Sequence, residues 1–159
     1  MKQRYAALCA WLERFPLSII QLAMRVGVGA AFFRSGLLKI GSWEFAVQLF
    51  RDEYKVPLLD PVVAAKMATA LELGVPWLLF LGIATRVATL PLLGMIAVIQ
   101  IFVYPNAWSD HLLWTSILVF LLTRGPGALS VDHLAARLVR RYASTPRHSA
   151  APAPTGSRG

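Results

Sequence analysis

The stretch SIIQLAMRVGVGAAFFRSGLLKI, residues Ser18–Ile40, decides the fold. A helix needs about 20 mostly apolar residues to cross a bilayer, and this segment meets that length. Yet it carries Arg25, Arg34 and Lys39. With about 3.6 residues per turn, Ser18, Gln21, Arg25, Gly29, Gly36 and Lys39 fall along one side. Arg34, nine residues after Arg25, falls on the opposite side. Charges in hydrocarbon need partners, and glycines such as Gly29 and Gly36 allow neighbouring helices to approach closely. The polar stripe therefore predicts other helices packed against this one.

Three further apolar segments follow: Val62–Ile83, Val87–Tyr104 and Trp108–Thr123. The last is short, and spans only by extending through Arg124 or by thinning the bilayer locally. A soluble bundle this small would expose polar faces, and these segments show almost none. The expected fold is all-α, an integral membrane four-helix bundle. Its spans are about 18–40, 62–83, 87–104 and 108–123, with an outside loop at 41–61.

Charge supports that reading and excludes another. The chain has 159 residues and a formal charge of +8, from 16 Lys+Arg against 8 Asp+Glu. A basic balance invites a nucleic-acid reading, which needs the charge gathered on a soluble face. Here residues 1–17 carry +2, residues 124–159 carry +5, and the apolar middle keeps +1. The excess is terminal, so no nucleic-acid partner is expected. Basic flanks mark the cytoplasmic side, which places both termini there (N-in/C-in).

The flanks extend the picture. The apolar run Tyr5–Leu12 is interrupted by Glu13 and Arg14 and has no small-residue cleavage site, so the first span reads as an uncleaved anchor. Segment 1–17 is expected as an amphipathic cytoplasmic interfacial element with Leu8, Trp11, Leu12 and Phe15 facing lipid. In the outer loop, Trp43–Tyr54 is expected to form a short helix with Phe45, Leu49 and Phe50 against the bilayer. Arg124-Gly-Pro-Gly127 breaks the chain after the fourth span. Ser130 then caps a helix reaching about Tyr142, with Asp132 in its first turn. Val131, Leu134, Ala135, Leu138 and Tyr142 line one face, and Arg137, Arg140 and Arg141 the other. Segment 125–143 is thus a basic amphipathic cytoplasmic helix, and 144–159 a disordered tail by composition.

An ionisable residue inside a span is by default a functional candidate. From a rise of about 1.5 Å per residue, Arg25 lies roughly 10 Å, and Glu72 roughly 16 Å, from the cytoplasmic ends of their helices. That predicts an Arg25–Glu72 pair, either a structural ion pair or a ligand site. Arg34 and Lys39 at the outer end, with Gln100, Tyr104 and His111, predict an outward-facing polar pocket, with Trp108 and Trp114 either walling it or sitting in the interfacial aromatic belt. Against that pocket, Arg34 is also placed to snorkel to the headgroups, as is Lys66, and His111 to serve only as a hydrogen-bonding residue. The single Cys9 excludes an internal disulfide, a CxxC pair and a multi-Cys metal site, and no metal is expected. Only one span contains a His, so a bis-His haem has no ligand pair.

Ordered motifs then carry a family resemblance. They are Arg25-x3-Gly29-x3-Phe33-x2-Gly36-x2-Lys39, Glu72-x3-Pro76 and Gly82-x2-Thr85-Arg86. Further on come Gln100-x-Phe102-Val103-Tyr104-Pro105-x2-Trp108 with His111, and Arg124-Gly125-Pro126-Gly127-x-Leu129-Ser130-x-Asp132. Over roughly residues 15–135 the chain resembles the DoxX family of small four-helix bacterial membrane proteins. The resemblance implies a bacterial cytoplasmic (inner) membrane protein in a loosely redox-associated group. Relatives are similar to the membrane subunit of thiosulfate:quinone oxidoreductase, and others are linked to thiol handling and oxidative stress. The YKVPLL and FVYPNAW stretches look most like DoxX proteins encoded beside iron enzymes that modify cysteines in copper-handling peptides.

The expectation is an accessory membrane subunit of a quinone-linked or thiol/sulfur/metal-peptide-related redox system. Quinone is the cofactor to look for, in contact with Arg25, Glu72 or His111. The bilayer, protein partners or further copies of the chain are the expected contacts. Autonomous catalysis is not indicated, because the chain lacks a disulfide pair, a nucleotide motif and a haem ligand pair. A small-solute or modified-peptide export helper is the alternative, and a scaffold recruiting soluble enzymes the second.

Overall fold

The computed structural model describes residues 2–143. The proposed tail 144–159, and the side chains of Leu8 and Tyr142, lie outside the described residues. Among the described residues the elements are all helical. They are α1 (Lys2–Glu13), α2 (Leu17–Gly41), α3 (Trp43–Leu49), α4 (Pro61–Leu81), α5 (Thr85–Val98), α6 (Trp108–Arg124) and α7 (Val131–Ala143). Single π-helical turns, Phe50–Tyr54 and Ile99–Val103, extend α3 and α5.

Local chemistry sets the boundaries. Pro16 stands at the N-cap of α2 and Pro61 opens α4, where a missing N–H costs nothing. The Asp60 carboxylate accepts from the Val62 and Val63 amides at 2.9 and 3.3 Å, satisfying the first turn of α4. Gly82, at φ +69°, ends α4 in the left-handed conformation that glycine tolerates best. Ser130 Oγ accepts from the His133 amide at 3.2 Å and starts α7 as expected.

Packing follows the small-residue stripe. Helix α2 lies on α4, α4 on α5, α5 on α6, and α6 returns to α2. Gln21, Arg25, Gly29 and Gly36 are buried in α2, so the polar stripe is its inward face. The apolar core between these helices includes Val28, Val75, Leu79, Leu92, Leu118 and Leu121.

The outside is as apolar as the inside. Arg25 is 0% exposed while Leu38 is 65% exposed. A chain folded against water would reverse these values, because a buried charge is costly and an exposed leucine is merely tolerated. Three helices are long and apolar enough to cross a membrane: Leu17–Gly41, Pro61–Leu81 and Thr85–Val103 including its π turn. Helix α6, at 17 residues, falls short of that length.

Two expectations about the flanks change. Phe50 does not face the bilayer: it is buried with Ala64 and Ala65 of α4, because the π turn rotates it inward, while Phe45 stays exposed. Helix α1 is not cleanly two-faced. Lys2 and Glu13 share a side and Arg4 falls opposite, so its polar residues do not gather. Helix α7 does separate its faces, with Leu134 and Leu138 away from Arg137 and Arg140.

Candidate functional site

The buried charge of α4 meets the C-terminal end of α2. Lys39 Nζ donates to both Glu72 carboxylate oxygens, at 2.7 and 2.8 Å, and to Ser35 Oγ at 3.0 Å. Ser35 donates to Glu72 Oε1 at 3.2 Å, closing the triangle. Helical side chains tilt toward the N-terminus, so Lys39 leans down one turn onto Ser35. Gly36 supplies the close approach. A Cβ there would stand 3.1 Å from Glu72 Cβ and 2.8 Å from the Leu73 side chain. Two turns toward the N-terminus of α2, a Cβ on Gly29 would meet the Phe80 ring at 2.6 Å.

This triangle lies on the wall of a cavity of about 640 Å³ between α2, α4, α5 and α6. The lining is largely apolar, with Phe32, Met67, Leu71, Met95, Ile96 and Trp114 among its residues. Both π turns contribute, through Phe50, Tyr54, Ile99 and Val103. Such wide turns re-aim side chains and recur at binding sites. Lys39, Ser35 and Glu72 are polar residues of its wall from α2 and α4, and Tyr104, Asp110 and His111 stand where α5 ends and α6 begins. An apolar recess with a few convergent polar groups is the usual form of a small-molecule site.

The outer polar groups are held in a relay. Gln100 Nε2 donates to the Pro105 carbonyl at 2.8 Å, which fixes the amide so that Oε1 faces His111 Nδ1 at 2.5 Å. A carbonyl oxygen can only accept, so Nδ1 carries the proton, and in the neutral ring Nε2 is left as an acceptor. Tyr104 donates to Glu53 Oε1 at 2.9 Å, joining the two π turns, with its ring edge-on to Tyr54 at 5.8 Å.

The predicted Arg25–Glu72 pair does not form. Arg25 donates instead to two carbonyls, Leu79 O at 3.2 Å in α4 and Leu129 O in the loop before α7. The reason is helix register. Gly36 is level with Glu72, and Arg25 with Leu79 and Gly82. Arg25 is thus eleven residues, roughly 16 Å, below the level of Glu72 along α2, beyond its reach. An Arg25–Glu72 pair needs α2 and α4 to begin and end at the same depth, whereas α4 extends beyond the C-terminus of α2 beside α3.

Around Arg25 the chain closes on itself. Gln21 donates to Gly125 O at 3.1 Å, and the Ala128 amide donates to Ser18 Oγ at 3.1 Å. Asp132 accepts from the Ala84 and Thr85 amides at 2.9 and 3.3 Å, capping α5 from another helix. A Cβ on Gly82 would overlap Arg25 and Ser130, and one on Gly127 would overlap Gln21. Arg25 Nε and Thr85 Oγ1 are buried without a partner in this region.

Of the sequence candidates, Lys39, Glu72, Tyr104 and His111 reach the cavity, with Gln100 bonded behind His111. Arg34 does not: it is exposed on the outer face of α2. Trp114 lines the cavity, whereas Trp108 is exposed. Arg25 belongs to the opposite end of the helices. Sequence reasoning missed Ser35, whose signal was its spacing four before Lys39, and Asp132 as a cap for α5, which had no local signal. Among the described residues no group of three His, Cys, Asp or Glu side chains is placed to hold a metal.

Neither the curated proteins nor the solved structures give a match to this chain. A family profile does: the one described as DoxX matches residues 20–105, from the polar stripe of α2 through Glu72 to the Gln100–Tyr104–Pro105 turn. That match covers more than half of the sequence, and the chain belongs to the DoxX family.

Proposed function

We propose that this DoxX protein is an accessory membrane subunit of a redox system and that its cavity takes the headgroup of a quinone. It lies in the bacterial inner membrane as a four-span bundle. Helix α6 is the fourth span, reaching the interface through the long Arg124 side chain. Both termini are cytoplasmic, in keeping with the basic flanks. Hydrogen bonds from the Ala128 amide to Ser18 and from the Gln21 side chain to Gly125 support this arrangement by tying the two flanks to one end of the helices.

The observation that carries the quinone reading is the relay Pro105–Gln100–His111 on the wall of an apolar cavity. It presents an imidazole lone pair, an acceptor for the hydroxyl of a reduced quinone. Trp114 and Met67 offer apolar and polarisable walls for a ring. Lys39 and Glu72, a charged pair in the cavity wall, offset each other, so an uncharged guest meets no net charge at that part of the wall. A quinone supplies two-electron, two-proton chemistry when bound. The residues here bind and orient it and hold a proton at His111, and a partner protein supplies the electrons.

The test is to purify the full chain from native membranes in mild detergent, extract the lipids and quantify quinone per protein. Near-stoichiometric quinone, lost in His111→Leu and retained in Arg34→Gln, is the expected result. Quinone no higher than in an unrelated membrane protein, with unchanged quinone reduction in a deletion strain, overturns the reading.

A further inference from the structure

Two arginines at the end of the helices away from the cavity take no part in the site described above. Arg86 is the second residue of α5 and Arg124 the last of α6. These helices are antiparallel neighbours, so both side chains stand at the same end, and both are exposed. A recess of about 410 Å³ lies there, lined by Gln21, Arg86, Arg124, Gly125, Asp132 and His133 among others.

The recess is built rather than incidental. Arg86 Nε stands 3.4 Å from where a Cβ on Gly125 would be, so its guanidinium rests on bare backbone. Gly125 sits at φ +82°, a conformation that would strain any other residue. His133 Nε2 is buried there without a hydrogen-bond partner. The one carboxylate, Asp132, is committed to the Ala84 and Thr85 amides. Two exposed guanidiniums therefore line a recess with His133 in its wall, and the one acid lining it among the described residues is already engaged. Planar forks of donors on a positive wall suit a tetrahedral oxyanion.

Depth narrows the source. Arg86 and Arg124 lie at the ends of apolar helices, the level at which lipid phosphates sit. Leu90, one turn deeper than Arg86 on the same face of α5, is 52% exposed, and Val87 is 66% exposed. Acyl chains can lie against these side chains while a phosphate reaches the arginines.

We infer that the Arg86–Arg124–His133 recess is a phosphate-binding site, filled by the headgroup phosphate of an anionic phospholipid. Free phosphate shares this chemistry, and the experiment separates the two.

The full chain in detergent is titrated with phosphatidylglycerol or phosphatidylcholine, with and without millimolar inorganic phosphate, and bound lipid is counted by native mass spectrometry. Phosphatidylglycerol is expected to be retained over phosphatidylcholine. The double variant Arg86→Gln/Arg124→Gln is expected to weaken retention about tenfold, the size of one lost charge-assisted hydrogen bond. The double variant Arg137→Gln/Arg140→Gln on α7 should leave it unchanged. Inorganic phosphate that competes assigns the site to soluble phosphate; failure to compete assigns it to lipid. If the first double variant does not fold, the wild-type chain decides. Phosphatidylglycerol should shield Arg86 and Arg124 from phenylglyoxal and leave Arg137 reactive. Equal lipid retention in both double variants, equal losses in both, or no shielding overturns the inference.

Discussion

Lys39 Nζ lies 2.7 Å from Glu72 Oε2 although Lys39 is in the last turn of α2 and Glu72 near the middle of α4. Their side chains are only 17% and 6% exposed, so the pair is screened little by solvent. Breaking such a pair costs more than replacing it, because the survivor is a buried charge without a partner. Lys39→Met should therefore destabilise the protein by about 3 kcal/mol, and the double variant Lys39→Met/Glu72→Leu should recover most of that. Thermal unfolding of the three proteins in one detergent measures it. Additive losses would mean that the two residues do not interact.

Gly36 and Gly29 are both close-contact positions, but with different neighbours. A Cβ on Gly36 meets Glu72 Cβ, close to the α4 backbone, whereas one on Gly29 meets the edge of the Phe80 ring. A ring can turn aside more easily than a helix can move. Gly36→Ala should cost about 2 kcal/mol, within the range for overpacking, and Gly29→Ala less. Pairing Gly29→Ala with Phe80→Leu should relieve its cost, while trimming Leu73, whose side chain a Cβ on Gly36 would meet at 2.8 Å, should relieve only part of that of Gly36→Ala because Glu72 Cβ at 3.1 Å remains. Unfolding midpoints of the variants test the contrast.

Arg25 is a clamp between α4 and the loop leading to α7. A lysine at this position keeps the charge but cannot reach two separate carbonyls with a planar fork. Arg25→Lys should cost about 2 kcal/mol, from one or two lost charged hydrogen bonds. Hydrogen exchange should quicken in residues 125–134 and remain slow around Glu72. Equal quickening at both places would mean that Arg25 supports the whole bundle rather than this junction.

Asp132 caps α5 from α7 through the Ala84 and Thr85 amides. Asp132→Ala leaves those donors without it and should cost about 1 kcal/mol, as for other helix caps. Asp132→Asn, which keeps one acceptor oxygen, should cost less. Thermal unfolding ranks the two.

Arg34 faces outward and lies away from the cavity. Arg34→Gln should change stability by no more than about 0.5 kcal/mol, as for other surface substitutions. Quinone retention should match the unsubstituted chain, in contrast to His111→Leu. The same lipid-extraction assay reads both.

Much of the architecture was legible before any contact was known. Glycines and polar residues repeating along Ser18–Ile40 marked the inward face of α2, and that face is the one that packs on α4. Pro61, Gly82 and Ser130 marked helix boundaries through local backbone chemistry, which depends on a few neighbouring residues. Lys39, Tyr104 and His111 were recognisable because charged and polar groups at the outer ends of apolar segments are few. Arg34 was legible only as a cation at the right depth, and periodicity alone already set it opposite Arg25.

What the sequence determined by itself was composition along each helix: which segments are apolar, which side of α2 is polar, and which ends are basic. These follow from helical periodicity and solvation, both local. The tertiary structure decided which charge meets which. Arg25 and Lys39 share a stripe, and helical depth pointed to Arg25 as the partner of Glu72, where the structure has Lys39. The choice was made by the sliding of α4 along α2, set where Gly36 lets Glu72 and Leu73 approach and where Gly29 admits Phe80. A shift of a few residues along a helix axis moves a side chain by more than its own length, and no single helix encodes that offset.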